Sequence, residues 1–387
     1  MRMLLAALLS LLMLVVGVGP GPGNDGQGSV PADGVGPGSE PGEGTRRRSL
    51  TIALDETWFS AAELTYPAAG EGPWPTVILF HGSGPVDMDA IQVDTFGQIT
   101  SANFKLLAER LSAEGFAVLR FHKRGVKKYG DYDPEQAARA TTNQLIADAA
   151  RVIAAAREQP EVDGDRIYLY GWSQGAQVAA HAALADGAVA GVILQGPPAS
   201  GWSEILRYQH VTLGLRVLRE VDADGDGKLS LEEWLTVPTG PAALMGSFYV
   251  WAPDSTPWLP KMRSDTDRDG DGKIDLEAEL RPAIEAFLAN PSVNPMMNPA
   301  DEPAASIAEV VRQLRRPVLV LHGEADGFVP VSDGEAIAAA APDHVTFRRF
   351  PGLGHALSPT ADPARDLFGP MDEAAVDALL TWLRAQD

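Results

Sequence analysis

The sequence contains no cysteine. Disulfide scaffolds, thiolate zinc sites, cysteine nucleophiles and lipid attachment through an N-terminal cysteine are thereby excluded, although the absence does not itself locate the protein. Positive charge is also scarce: 31 Lys and Arg face 52 Asp and Glu, for a formal net charge of -21. Such an excess argues against nucleic acid and anionic lipid surfaces as partners and makes cations the expected company. The apolar run from Met3 to Val18, preceded by Arg2, is shorter than the roughly 18 to 20 residues a spanning helix needs. It matches the charged start and apolar middle of a secretory signal, but no clear small-residue cleavage box follows, so an uncleaved anchor stays open. Residues 1–23 are expected to be a signal peptide or N-terminal anchor, any membrane association is expected through that segment alone, and the protein is expected to be exported. The 30 residues from Gly19 to Arg48 hold 10 Gly and 5 Pro, too few packing side chains for a domain, and residues 24–48 are expected to be a disordered linker.

From Leu50 onward the pattern is that of a folded domain. With 387 residues and 45% hydrophobic content, the chain can bury one large core. Short apolar runs at Val77–Phe80, Ala117–Phe121, Ile167–Tyr170, Val192–Gln195 and Val318–Leu321 read as buried parallel strands. Ser101–Glu114 and Thr142–Gln159 carry helical spacing between them, which predicts an α/β architecture with a mostly parallel, doubly wound sheet. Gly171-Trp-Ser-Gln-Gly175 stands between a strand and the Ala-rich helical stretch Ala176–Ala185, the context in which a strained turn lifts a serine hydroxyl clear of a sheet. A serine hydroxyl needs a base, itself oriented by a carboxylate. Asp326 follows the strand Pro317–Leu321 on a loop, with Glu324 as its competitor, and His355 lies on a glycine-rich turn after the last predicted strand, Val345–Phe350. Ser173, Asp326 and His355 are therefore the candidate catalytic triad. Oxyanion donors are expected from the backbone N–H of Gln174 and from Ser83, with Gly82 next. His81 and His322 sit at strand ends before Gly, and His122, His181, His210 and His344 are expected to be surface residues.

These segments resemble bacterial α/β-hydrolase esterases of the serine aminopeptidase-like and acyl-esterase group. The resemblance rests on His81-Gly-Ser-Gly-Pro85, Val118-Leu-Arg-Phe121 with Arg124-Gly125, Gly171-Trp-Ser-Gln-Gly175, His322-Gly-Glu-Ala-Asp326 with Val329-Pro330, and Gly352-Leu-Gly-His355. It implies an α/β-hydrolase fold, hydrolysis of a small-molecule ester through an acyl-enzyme, no cofactor for catalysis, and the three triad roles for Ser173, Asp326 and His355. Val126-Lys-Lys-Tyr129 departs from the small turn usual in such relatives, so that loop says nothing reliable about substrate. Peptidase or thioesterase activity on the same triad is the first alternative, and a non-catalytic calcium-binding scaffold the second.

Between the core segments 49–196 and 317–387, residues 197–316 are expected to form a helical cap insertion. Asp222 to Glu233 matches an EF-hand loop: carboxylates from Asp222, Asp224 and Asp226, a turn at Gly227, the Lys228 carbonyl, apolar Leu229, and Glu233 at position twelve. Asp267, Asp269, Asp271, Gly272 and Lys273 repeat the spacing, but the twelfth position is Ala278, so the second loop is expected to bind more weakly or to borrow Glu277 or Glu279. Structural calcium is the implied cofactor, bracing the cap. Trp202, Trp234, Trp251, Trp258, Phe248 and Tyr249 are expected to serve chiefly as cap core.

Overall fold

Successive side chains of a strand point to opposite faces, so a strand apolar at every position must be covered on both sides. The computed structural model, which describes residues 44–93, 98–238, 240–252, 254–255, 260–290 and 303–386, bears this out. Ile78, Phe80, Leu169, Leu194 and Val320 belong to one core, while Val77, Leu79, Tyr170, Ile193 and Leu321 belong to another on the opposite face. Truncating one such residue, for example Leu169→Ala, is expected to cost about 2–5 kcal/mol. The expected signal or anchor at residues 1–23, the linker up to residue 43, and Trp258 lie outside the described residues.

Eight strands form the main sheet: β1 Thr45–Ala53, β2 Phe59–Pro67, β3 Trp74–Phe80, β4 Ala117–Phe121, β5 Val162–Trp172, β6 Gly191–Gln195, β7 Val318–Gly323 and β8 Val345–Phe350. Their order is β1-β2-β4-β3-β5-β6-β7-β8. The first two strands pair antiparallel, and β2 meets β4 antiparallel; every later neighbour is parallel. Helices Asn103–Ala113, Thr142–Arg157, Gln174–Ala185 and Glu373–Arg384 cover the faces. Thr45 to Arg48 belong to β1, not to the expected linker; Arg48 donates to Glu161, and Arg47 to Glu109 at 2.9 Å. A Gly/Pro count over a long window cannot see that four polar residues are held by sheet bonds to β2.

The insertion builds its own core around Leu206, Leu218, Trp234, Met245, Tyr249, Leu280 and Ile284. Trp202, Trp251 and Phe248 pack against that core, as expected of cap anchors. The chain ahead of the first acidic loop is helical, with a π turn, Tyr208–Gly214, between Trp202–Arg207 and Leu215–Val221. Among the described residues no helix is long and apolar enough to cross a membrane.

Candidate active site and the paired acidic loops

The turn after β5 is forced by contact. A Cβ on Gly171 would fall 2.1 Å from the Gly175 carbonyl oxygen, and one on Gly175 would fall 2.2 Å from that of Phe80. Only glycine at both places lets the helix Gln174–Ala185 start this close to the strand ends. Ser173, at its head, is held at φ 57° and ψ -120°, a conformation L-residues rarely adopt. Its backbone N–H donates to the Gln195 carbonyl at 2.9 Å, so β6 fixes the strained residue.

His355 is reached from the same elements. Trp172 Nε1 donates to the His355 carbonyl at 3.2 Å, and Gln195 Nε2 donates to it at 3.0 Å. The imidazole Nδ1 lies 2.8 Å from Asp326 Oδ2. Asp326 is almost fully buried, and its Oδ1 accepts from the Phe328 and Val329 N–H groups at 2.8 Å each. Burial alone would raise this carboxyl, but the imidazoles of His355 and His322 overcome it and hold it below the ordinary carboxylate range. Burial likewise opposes charge on His355, and Asp326 reverses the sign, raising the imidazole above its ordinary value. Glu324, the competing acid, is exposed and pairs with Arg349 at 3.0 Å.

The loop after β3 lies against the serine: a Cβ on Gly82 would meet Ser173 Cβ at 3.4 Å, with Ser83 next in the chain. Gln174 is the first residue of its helix, where backbone N–H groups have no helical acceptor.

Three groups escaped sequence reasoning. His322 is fully buried, with Nε2 3.2 Å from Asp326 Oδ2, so this carboxylate faces two imidazoles. Asp366, buried beneath the site, accepts at Oδ2 from the N–H groups of His355 (2.7 Å) and Gly327 (3.0 Å), binding base loop to acid loop. Burial and the neighbouring Asp326 push its carboxyl up to about 7. No motif announces an aspartate eleven residues beyond the base. The third is the cap itself: Tyr208 donates its hydroxyl to the Asp326 carbonyl and Gln209 its amide to the Phe328 carbonyl, both at 2.8 Å. Two histidines expected at the surface are buried instead: His122 accepts from the Met88 N–H at 3.0 Å, and His210 pairs with the Tyr249 hydroxyl at 2.9 Å. Their partners lie more than thirty residues away in the sequence, which local context could not reveal.

The helix carrying Tyr208 runs on through Leu215–Val221 into the first acidic loop. The two loops are paired by a short antiparallel ladder, Lys228–Ser230 against Lys273–Asp275, with Leu229 and Ile274 buried between them. Asp222, Asp224 and Glu233 offer oxygens within 4.8 Å of one another, as do Asp267, Asp269 and Asp271. Each loop's seventh-position lysine reaches the other loop, Lys228 to Asp269 and Asp271, Lys273 to Asp224 and Asp226. Glu233 accepts from the N–H groups of the second and ninth residues of its loop, Ala223 and Ser230, at 2.9 Å each. Glu279 does the same in the second loop, from Arg268 at 2.7 Å and Asp275 at 3.0 Å. It is the thirteenth residue, and the extra one is absorbed by a π turn, Leu276–Leu280. Glu277 is engaged elsewhere, by Arg219 and Arg281.

Comparison with known proteins agrees with this geometry. A family profile described as serine aminopeptidase, S33, matches residues 98–221, and one described as EF hand matches residues 215–238. Esterase EstD of Thermotoga maritima is 36% identical over 151 residues, covering 38% of this chain and 32% of that protein. The quorum-quenching protein AidA of Acinetobacter baumannii is 26% identical over 201 residues, covering 51% and 61%. This chain thus spans about a third to three-fifths of the length of the curated relatives it matches. Proline iminopeptidase of Mycobacterium smegmatis superposes with a TM-score of 0.51 at 17% identity, over 88% of this chain and 98% of that one. A hypothetical protein of Pseudomonas aeruginosa does so with a TM-score of 0.53 at 16% identity, over 90% and 96%. At these identities the likeness is one of fold, and it agrees with the elbow and the parallel sheet above. The chain thus has an α/β-hydrolase fold and, over residues 98–221, is similar in sequence to the serine aminopeptidase family.

Proposed function

We propose that the protein is an exported serine hydrolase that cleaves carboxylic esters through an acyl-enzyme. The observation that carries this is the 2.8 Å bond from His355 Nδ1 to Asp326, with the His355 carbonyl held by Trp172, the residue before a serine strained at φ 57° on a helix head. Asp326 holds the imidazole with Nδ1 protonated, leaving Nε2 to take the Ser173 proton as Oγ bonds the ester carbonyl carbon. The carbonyl oxygen becomes an oxyanion facing the N–H groups of Gln174 and Ser83. Collapse breaks the bond to the alcohol, which leaves with the proton from His355; water then attacks the acyl-enzyme by the same proton path and frees the acid and Ser173. EstD, an esterase, supports the ester reading.

Amide hydrolysis is the second reading, favoured by the serine aminopeptidase profile over residues 98–221. Turnover of p-nitrophenyl esters from acetate to palmitate, and of aminoacyl p-nitroanilides, separates the two, with Ser173→Ala as control. Ester turnover lost in Ser173→Ala establishes the esterase; turnover confined to anilides establishes the peptidase. No turnover and no labelling of Ser173 by a fluorophosphonate would overturn both.

Calcium is proposed as a structural ion of the cap. The donor set fits a hard cation: Asp222, Asp224, Asp226, the Lys228 carbonyl and Glu233 in the first loop, and Asp267, Asp269, Asp271, the Lys273 carbonyl and Glu279 in the second. The ion would supply charge compensation and rigidity there, leaving bond cleavage to the triad. The apolar segment Met3–Val18 supports export.

A further inference from the structure

Lys123, directly after β4, is an almost fully buried cation that the triad chemistry leaves unused. Its Nζ donates to the Gly82 carbonyl at 2.7 Å and to Gln174 Oε1 at 3.0 Å. Both partners are neutral oxygens, and they belong to the two segments that flank the oxyanion: the loop after β3 and the first residue of the serine's helix. Gln174 is held in turn, its Nε2 donating to Thr142 Oγ1 at 3.1 Å. A buried ammonium without a carboxylate partner is costly in the resting protein. It becomes favourable when negative charge develops nearby in a medium of low dielectric.

We propose that Lys123 is a positioning residue for the oxyanion hole: its ammonium ties Gly82 to Gln174, fixing the spacing of the two backbone donors, and its charge is complementary to the oxyanion formed on attack by Ser173. The inference rests on the serine-hydrolase reading and deepens it. Burial also lowers the ammonium to about 7, so it discharges near neutrality. Of the groups around it, burial and the charge of Lys123 hold His81 well below its ordinary value, and burial lowers His122; Asp148 accepts from Arg124 Nη2 and Nε at 2.6 and 2.8 Å.

The test compares wild type with Lys123→Met, an apolar side chain of similar length, on the best p-nitrophenyl ester. We expect kcat to fall about tenfold to a hundredfold with KM within about twofold, because the lost interaction matters mainly in the transition state. The wild-type kcat/KM profile should decline above neutrality, and Lys123→Met should lack that decline. Unchanged kcat, no decline in wild type, or a decline that survives the substitution would overturn the proposal. Should Lys123→Met fail to fold, Gln174→Met decides: it removes one acceptor and keeps the backbone N–H, and kcat within about twofold of wild type would sink the idea. Loss of fluorophosphonate labelling at Ser173 in wild type would instead refute the serine-hydrolase reading, so the two failures are distinct.

Discussion

The active site and the paired acidic loops both depend on carboxylates, and they hold them in opposite ways. Asp326 is buried and is kept ionised by two imidazoles and two backbone N–H groups. Asp224, Asp226, Asp269 and Asp271 of the loops stand in solvent, and their neighbours are lysines contributed by the other loop. A buried charge needs fixed partners from its own fold, which makes it precise and intolerant of change. An exposed cluster can accept an ion, and its order can follow the ion's supply. The cap joins the two regimes, since one helical stretch carries Tyr208 at the Asp326 carbonyl and ends at Asp222.

The sharpest break of that contrast is Asp326→Asn, which keeps the shape and removes the charge. We expect kcat to drop about 10⁴-fold, while Glu324→Gln stays within about twofold in the same steady-state assay. Asp366 comes next, because it is buried like Asp326 and yet acts through two loops. Asp366→Ala strands the N–H groups of His355 and Gly327, each costing about 1–3 kcal/mol, and should lower both kcat and the melting temperature. Asp366→Asn keeps an acceptor and should retain most activity. Its pH dependence has a definite sign: the folded carboxyl, near 7, holds a proton that the unfolded chain, near 3.8, has lost. Stability from this group is therefore present below about pH 4 and drains away up to about 7; Asp366→Asn should lose stability less steeply over that window in urea titrations.

For the loop carboxylates, Glu233→Gln or chelation should cost stability without touching chemistry directly. At calcium a hundredfold above Kd, binding contributes about 2.7 kcal/mol, so the melting temperature should fall by several degrees on chelation. Glu279→Gln should weaken the second site as Glu233→Gln weakens the first, whereas Glu277→Gln should leave calcium titrations unchanged. The smallest effect is expected from Tyr208→Phe, which removes one 2.8 Å bond between cap and acid loop. A severalfold loss of kcat that no longer responds to chelation would show that the tether carries the influence of the ion; a response equal to wild type would separate the two regions.

Legibility in the sequence was a matter of range. G-x-S-x-G, the acidic loops and the strands apolar at every position are local patterns, because each is imposed by a turn, a coordination shell or a pleat a few residues long. Those patterns alone set the α/β class, the order of Ser173, Asp326 and His355, and the twelve-residue frame of the first loop. Asp366, Tyr208 and Lys123 carry no such pattern; their roles exist only because loops far apart in the chain converge at the strand ends. Nor could spacing choose between Glu277 and Glu279, since the choice turns on a π turn that displaces the chain by one residue. Residue order thus specified which chemical groups were available and in what local frame. Packing in three dimensions chose which of them share a buried volume, because burial, and with it the strength and sign of every electrostatic effect at the site, is a property of the folded chain.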